Sequence, residues 1–251
     1  MKIQLLGTGG YHPSDVRQTA SFLLPEAGIA LDAGTGIYRL PAAMQTEDLH
    51  LFLSHPHWDH IIGLTYLYVP LLTGQIRSVT LYGNAHTFAA ISTHLFAEPT
   101  FSHMPDFQFV LLEDLSESKV ELNGVQVSWQ PLPSHPGGST AYLLEDGRSR
   151  FAYVTDTFVD GSYHELIQEV DLLIHECYFS DELSEWAEKT GHSYLSQVAS
   201  LARDCRVKQL LLTHVDPREN EESPWDLTAA REIFPLVDFA RDQTLIQLPG
   251  N

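Results

Sequence analysis

The run His55-Pro56-His57-Trp58-Asp59-His60 constrains this chain more than any other stretch, because it places four metal-capable side chains within six consecutive positions. Imidazole nitrogen and carboxylate oxygen are donors that zinc and related divalent ions accept, and a catalytic site leaves one coordination position open for water. Side chains two apart on an extended strand end project to the same side, so His55 and His57 can grip one ion. Asp59 and His60 follow where the strand passes into a turn or a helix start, and can reach a second. Packing does not account for such a cluster; it predicts a metalloenzyme.

The surrounding pattern sets the fold class. Short apolar runs bounded by turn signals alternate with helix-period segments, the signature of an α/β protein. Leu51-Phe52-Leu53 runs into His55, Phe151-Ala152-Tyr153-Val154 into Asp156, Leu172-Leu173-Ile174 into His175-Glu176, and Leu210-Leu211-Leu212 into His214. Val125 to Trp129 alternates in polarity and continues through Pro131 and Pro133 to His135. These strands therefore finish in groups that can bind metal or move a proton, and strand ends along one sheet edge are where α/β folds assemble their sites. An isolated histidine after a strand is usually structural, but the shared placement makes His135, Asp156 and His214 candidate ligands beside the first cluster. Leu195, Val198, Ala199 and Ala202 recur at helical spacing behind Ser193, a suitable N-cap.

At 251 residues, with 43% apolar and 19% charged residues, the chain can bury a proper core, and a single domain over 1–251 is the expectation. No apolar run approaches bilayer length, and the N-terminus lacks a signal-peptide pattern, so no membrane partner is expected. Cys177 and Cys205 are too few for a disulfide framework, which points to a reducing cytoplasm. Formal charge is −19, from 33 acidic against 14 basic residues, with no Lys/Arg cluster along the sequence. Nucleic-acid binding relies on several cations at phosphates, so a small substrate is expected and long nucleic acid is disfavoured. Bound metal ions would add local positive charge against that field.

With these residues in place, the sequence resembles the metallo-β-lactamase fold hydrolases, within them the ribonuclease Z-like and small phosphodiesterase branch. The resemblance rests on the H-x-H-x-D-H box at His55 to His60 and on single ligands at His135, Asp156 and His214. It extends to Leu6-Gly7-Thr8-Gly9-Gly10, Leu31-Asp32-Ala33-Gly34, His175-Glu176-Cys177-Tyr178-Phe179 and Gly191-His192-Ser193, and so covers nearly the whole chain. It implies an αββα sandwich, two mixed sheets flanked by helices, carrying two divalent metal ions, zinc first, with manganese or iron as alternatives. Carried over by position, His55, His57 and His135 hold one ion, Asp59, His60 and His214 the other, and Asp156 bridges them. The resemblance also makes Asp59 the residue that orients or deprotonates the nucleophile. His192 becomes the general acid with Glu176 as its partner, and Asp32 supports the metal loop through hydrogen bonds. Homodimers are common in the branch.

Hydrolysis of a phosphodiester fits such a site best, and a small diester, such as a cyclic nucleotide, is the leading expectation. A ribonuclease Z-type transfer-RNA 3′-processing endonuclease is the alternative, although the protruding glycine- and proline-rich basic arm of those enzymes has no counterpart in the sequence. A glyoxalase II-like thioester hydrolase shares the ligand set but matches less well at Glu176 and His192. From outside the enzymes, a metal-binding scaffold that recognises a ligand or protein partner would be favoured by a missing ligand, and none of the seven is missing. The turns at Gly7 to Gly10 and Pro136 to Ser139 offer backbone N–H groups without specificity. His12, His50, His86, His94, His103 and His164 default to structural roles. The segment from His94 to Phe107 reads as a flap, a subunit contact or a satellite apolar cluster.

Overall fold

In the computed structural model, which describes residues 1–101, 103–219 and 221–249, the apolar runs pair into two seven-stranded sheets. The first contains β1 (Lys2–Gly7), β2 (Ser21–Leu24), β3 (Ile29–Leu31), β4 (Asp48–Phe52), β5 (Ser78–Gly83) and β6 (Gln108–Leu111), with β14 (Leu245–Gln247) added beside β1. The second contains β7 (Lys119–Leu122), β8 (Val125–Leu132), β9 (Ser139–Glu145), β10 (Arg150–Val154), β11 (Leu172–Glu176), β12 (Leu210–Thr213) and β13 (Val237–Phe239). Both are mixed. In the first, β14 to β3 pair antiparallel and β3 to β6 parallel; in the second, β7 to β10 pair antiparallel and β10 to β13 parallel.

Three apolar clusters define the layers. Phe22, Leu31 and Phe52 of the first sheet meet Trp129, Tyr142, Phe151 and Ile174 of the second between the sheets. Outside the first sheet lie α1 (Leu40–Ala43), α2 (Trp58–Ile61), α3 (Tyr68–Leu72) and α4 (Ala85–Ala90); outside the second lie α5 (Ser184–Thr190), α6 (Leu195–Asp204) and α7 (Thr228–Ile233). This is the expected αββα sandwich. The sheets are more regular than the helices, of which only α6 reaches ten residues. Leu195, Val198, Ala199 and Ala202 form its buried face, as the periodicity predicts. Its N-cap, however, is Tyr194, because the Ser193 hydroxyl donates to Thr157 O at 2.6 Å.

The described residues of the segment from His94 to Phe107 form a satellite of the outer core. Phe96 and Phe107 are buried there, Phe101 and Met104 pack against them, and Phe96 meets Phe101 edge-on at 4.9 Å. Four basic side chains from two separate stretches, Arg148 with Arg150 and Arg206 with Lys208, share a cleft of about 590 Å³. It lies where β10 and β12 begin. Three of the four are paired there with Glu145, Glu169 and Asp171 at 2.6–2.8 Å. No helix among the described residues is long and apolar enough to cross a membrane.

Candidate metal centre

The seven proposed donors converge where the parallel strands of both sheets end. His55 follows β4 by three residues and lies in the turn that leads into α2, whose first residues carry Asp59 and His60. From the second sheet come His135 after β8, Asp156 after β10 and His214 after β12. Asp156 (φ 47°) and His214 (φ 55°) both adopt left-handed backbone, as does Asp32 (φ 57°). Non-glycine residues held there cost about 1–3 kcal/mol each and persist where the surroundings over-determine them. At these positions the sharp turn aims each side chain back over the sheet edge.

The donors fall into two groups joined by one carboxylate. His55, His57, His135 and Asp156 bring ligand atoms within 4.8 Å of one another, as do Asp59, His60 and His214. Asp156 divides its oxygens between them. Oδ2 faces His55 Nε2 (3.6 Å) and His135 Nε2 (3.8 Å), whereas Oδ1 faces His60 Nε2 (3.2 Å) and His214 Nε2 (3.3 Å). His214 Nε2 also lies 3.0 Å from Asp59 Oδ2, which accepts the Tyr11 amide at 2.7 Å. His214 is itself crowded by the glycine turn after β1, since a Cβ on Gly10 would fall 2.7 Å from its Nδ1.

A network behind the donors sets their tautomers. Asp32, fully buried, accepts from Ser54 N (2.7 Å), Ser54 Oγ (2.8 Å), His60 Nδ1 (2.7 Å) and Tyr153 Oη (2.8 Å). Because a carboxylate only accepts, His60 carries its proton on Nδ1 and turns Nε2 to the site. Ser54 Oγ, its proton spent on Asp32, accepts from His55 Nδ1 (3.0 Å), and Gly191 O accepts from His135 Nδ1 (3.2 Å). All three histidines therefore direct Nε2 inward. A second tyrosine from between the sheets, Tyr142, donates to Leu53 O at 2.7 Å and steadies the same loop.

The donor set fits a divalent metal. His55 Nε2 and His60 Nε2 are buried without a hydrogen-bond partner, an arrangement that costs free energy unless an ion satisfies it. Burial lowers the proton affinity of His55 and His135, keeping both neutral and able to ligate. At His60 burial acts the same way, but Asp59, Asp156 and Asp32 outweigh it and push its pKa well above the ordinary value. A proton there stands where the carboxylates draw a cation. Asp59 and Asp156 are opposed by burial too, and the surrounding histidines hold both well below the usual carboxylate range.

His192 sits at the edge of the second group, with ligand atoms of Asp156 and His214 within 4.8 Å. Its Nδ1 donates to Glu176 Oε1 at 3.1 Å; Glu176 is fully buried in β11 and also accepts the Thr157 amide at 2.7 Å. Burial lowers the His192 pKa, but Glu176, by charge and by hydrogen bond, and then Asp156 and Asp59 raise it from 6.5 to about 9. The ring stacks on Tyr178 (4.9 Å, 24°) and on His214 (5.6 Å, 20°). His175, beside Glu176, is buried against Tyr163 Oη at 2.7 Å and belongs to the packing.

A cleft of about 370 Å³ opens over this centre, lined by Tyr11, His57, Trp58, Asp59, His135, Asp156, Tyr178, His192 and His214. Sequence reasoning gave no role to Tyr11 or Trp58, and none to Tyr178 beyond its place in a motif. A tryptophan inside the histidine box was the available signal.

Residues 29–215 match the model of the β-lactamase superfamily domain. A ribonuclease Z of Trichodesmium erythraeum is 31% identical over 99% of this chain and 96% of its own length; the alignment spans 309 positions, so that relative carries stretches without counterpart here. Among solved structures, the metallo-β-lactamase fold protein YhfI from Bacillus subtilis superposes with a TM-score of 0.79 at 20% identity, covering 98% of this chain and 99% of its own. Human tRNase Z, short form, gives 0.72 at 23% identity, covering 99% and 100%. Relatives that are ribonucleases overturn the expectation of a small diester partner with long nucleic acid disfavoured. A whole-chain charge is a sum over the surface and does not describe the field at a cleft where metal ions add positive charge. The chain belongs to the metallo-β-lactamase superfamily and is a ribonuclease Z-like, metal-dependent hydrolase.

Proposed function

We propose that this chain is a ribonuclease Z-type endonuclease that hydrolyses a phosphodiester bond in RNA at a dinuclear site, with transfer-RNA precursors as substrates. The observation that carries this reading is His192 held by buried Glu176 beside the donor cluster, on a chain related to ribonuclease Z. His55, His57, His135 and one oxygen of Asp156 would hold the first ion; Asp59, His60, His214 and the other oxygen would hold the second. When bound, the ions, zinc foremost with manganese or iron as alternatives, supply a water ionised near neutral pH and offset charge at phosphorus.

The chain's own groups do the remainder. Asp59, steadied by the Tyr11 amide, orients the attacking water. With Nδ1 committed to Glu176, His192 offers Nε2 to the departing oxygen as a proton donor. Glu176, by charge and hydrogen bond, favours its protonated form, and the stacked Tyr178 ring limits its rotation. In this reading residues 1–251 work as one hydrolase unit, and as a homodimer by analogy with the family. The buried free thiols Cys177 and Cys205 suit a reducing cytoplasm.

Elemental analysis of the purified protein, with turnover of a transfer-RNA precursor beside a thioester and a β-lactam, tests the proposal. About two ions per chain and preferential cleavage of the RNA are expected. An activity ranking led by the thioester would refute the assignment.

A further inference from the structure

Among the described residues, no lysine or arginine lines the cleft over the metal centre, on a chain of formal charge −19. With His192 committed to the departing oxygen, the described lining residues therefore offer an RNA strand no lysine or arginine to hold the phosphates beside the cut. Resting on the ribonuclease reading above, we infer that the open faces of Tyr11 and Trp58 are stacking platforms for the bases flanking the scissile phosphodiester.

Both rings are unusually free for residues so close to the donors. Trp58 stands between His57 and Asp59 and is 71% exposed, although the other residues of α2, Asp59, His60 and Ile61, are buried. Among the described residues its ring has no aromatic or cationic neighbour. Trp186, the other strongly exposed tryptophan, differs: Lys189 Nζ lies 5.3 Å over its ring. Tyr11 is also 71% exposed, but its backbone is fixed, with φ at 62° and its amide bound to Asp59 Oδ2. The third aromatic residue of the cleft, Tyr178, already has a face covered by His192. A tethered tyrosine, whose one ring neighbour among the described residues is the tilted His12 ring (5.6 Å, 55°), and a tryptophan inside the metal box thus each present an open π-face at the cleft mouth. Every nucleobase can stack on such a face, and stacking holds a base with little regard to sequence.

The test is an enzyme–substrate cycle with the metal-loaded protein. A short RNA carrying the scissile bond is compared with versions in which the base on either side is replaced by an abasic nucleotide, and KM and kcat are separated. With wild type, losing a flanking base should raise KM about tenfold or more. In Trp58→Ala or Tyr11→Ala one of these penalties should vanish, whereas Trp58→Phe should retain it. Both side chains are exposed, and circular dichroism checks that the variants fold. An abasic RNA that binds as well as the intact one, or a penalty that survives both alanine variants, overturns the inference while leaving the ribonuclease reading in place. If wild type turns over methyl p-nitrophenyl phosphate but cuts no RNA, the ribonuclease reading fails and the stacking inference falls with it.

Discussion

Replacing Asp32 with Asn isolates the network that aims the metal donors. The substitution keeps size and shape, and Asn tolerates the left-handed backbone at φ 57° better than most residues, so strain does not enter. What changes is acceptor capacity. Asp32 Oδ2 takes three hydrogen bonds and Oδ1 takes the Ser54 amide, whereas Asn has a single accepting oxygen. Turned to keep the three, it sets its NH2 against Ser54 N–H and leaves a buried donor unsatisfied, at about 1–3 kcal/mol. Losing the carboxylate charge from the other three bonds adds roughly 1 kcal/mol. Metal-free Asp32→Asn should therefore be about 2–4 kcal/mol less stable, which for a chain of this size lowers Tm by about 5–15 °C. His60 and His55, no longer locked through Asp32 and Ser54, should bind metal about 10- to 100-fold more weakly. Competition with a chromophoric chelator measures the second effect and thermal unfolding of the stripped protein the first. Wild-type metal affinity in a folded variant would refute the claim that this network orients the ligands.

Gly10→Ala would push a methyl group to 2.7 Å from His214 Nδ1; metal stoichiometry should fall while circular dichroism stays native, and full occupancy would show that His214 can move without cost. His192 must be protonated to act as an acid, so activity should fall as pH rises through its titration; its pKa of about 9 is that of the metal-free protein, and ions that offset Asp59 and Asp156 place the fall at or below it. Glu176→Gln should bring that limb toward neutrality, and His192→Ala should keep its metals yet slow turnover by about 10²- to 10⁴-fold. The same raised pKa stabilises the metal-free fold below about pH 6.5, a contribution lost as pH climbs through about 9. A flat pH–stability profile across that window contradicts it.

The legible part of this molecule was its strand ends. The apolar runs that stop at His55, His135, Asp156, Glu176 and His214 are strands in the structure, and a strand's exit direction is a local property that short patterns record. Asp32 was legible only through resemblance, since its partners lie 22 to 121 positions away and only the closed sandwich brings them together. Left-handed backbone at Asp156 and His214 carries only a weak propensity signal, because Asp and His tolerate it better than most residues without demanding it; the sheet edges impose it. The partner expectation failed for a related reason. Counting charges along the chain neither locates them nor reveals that Arg148, Arg150, Arg206 and Lys208 gather at the far rim, largely neutralised. Tyr11 and Trp58 went unnoticed because exposure cannot be read from residue type.

The donors are drawn from both sheets: His55 to His60 from the first, His135, Asp156 and His214 from the second. Any ion held there is a rivet through the sandwich, spanning the seam along which the two halves would part. Spontaneous metal release then requires the layers to breathe apart at that rim, so its rate is a clock for the opening motion, readable with a fluorescent chelator and no folding probe. Mutations deep in the inter-sheet core should speed that clock without touching a single ligand.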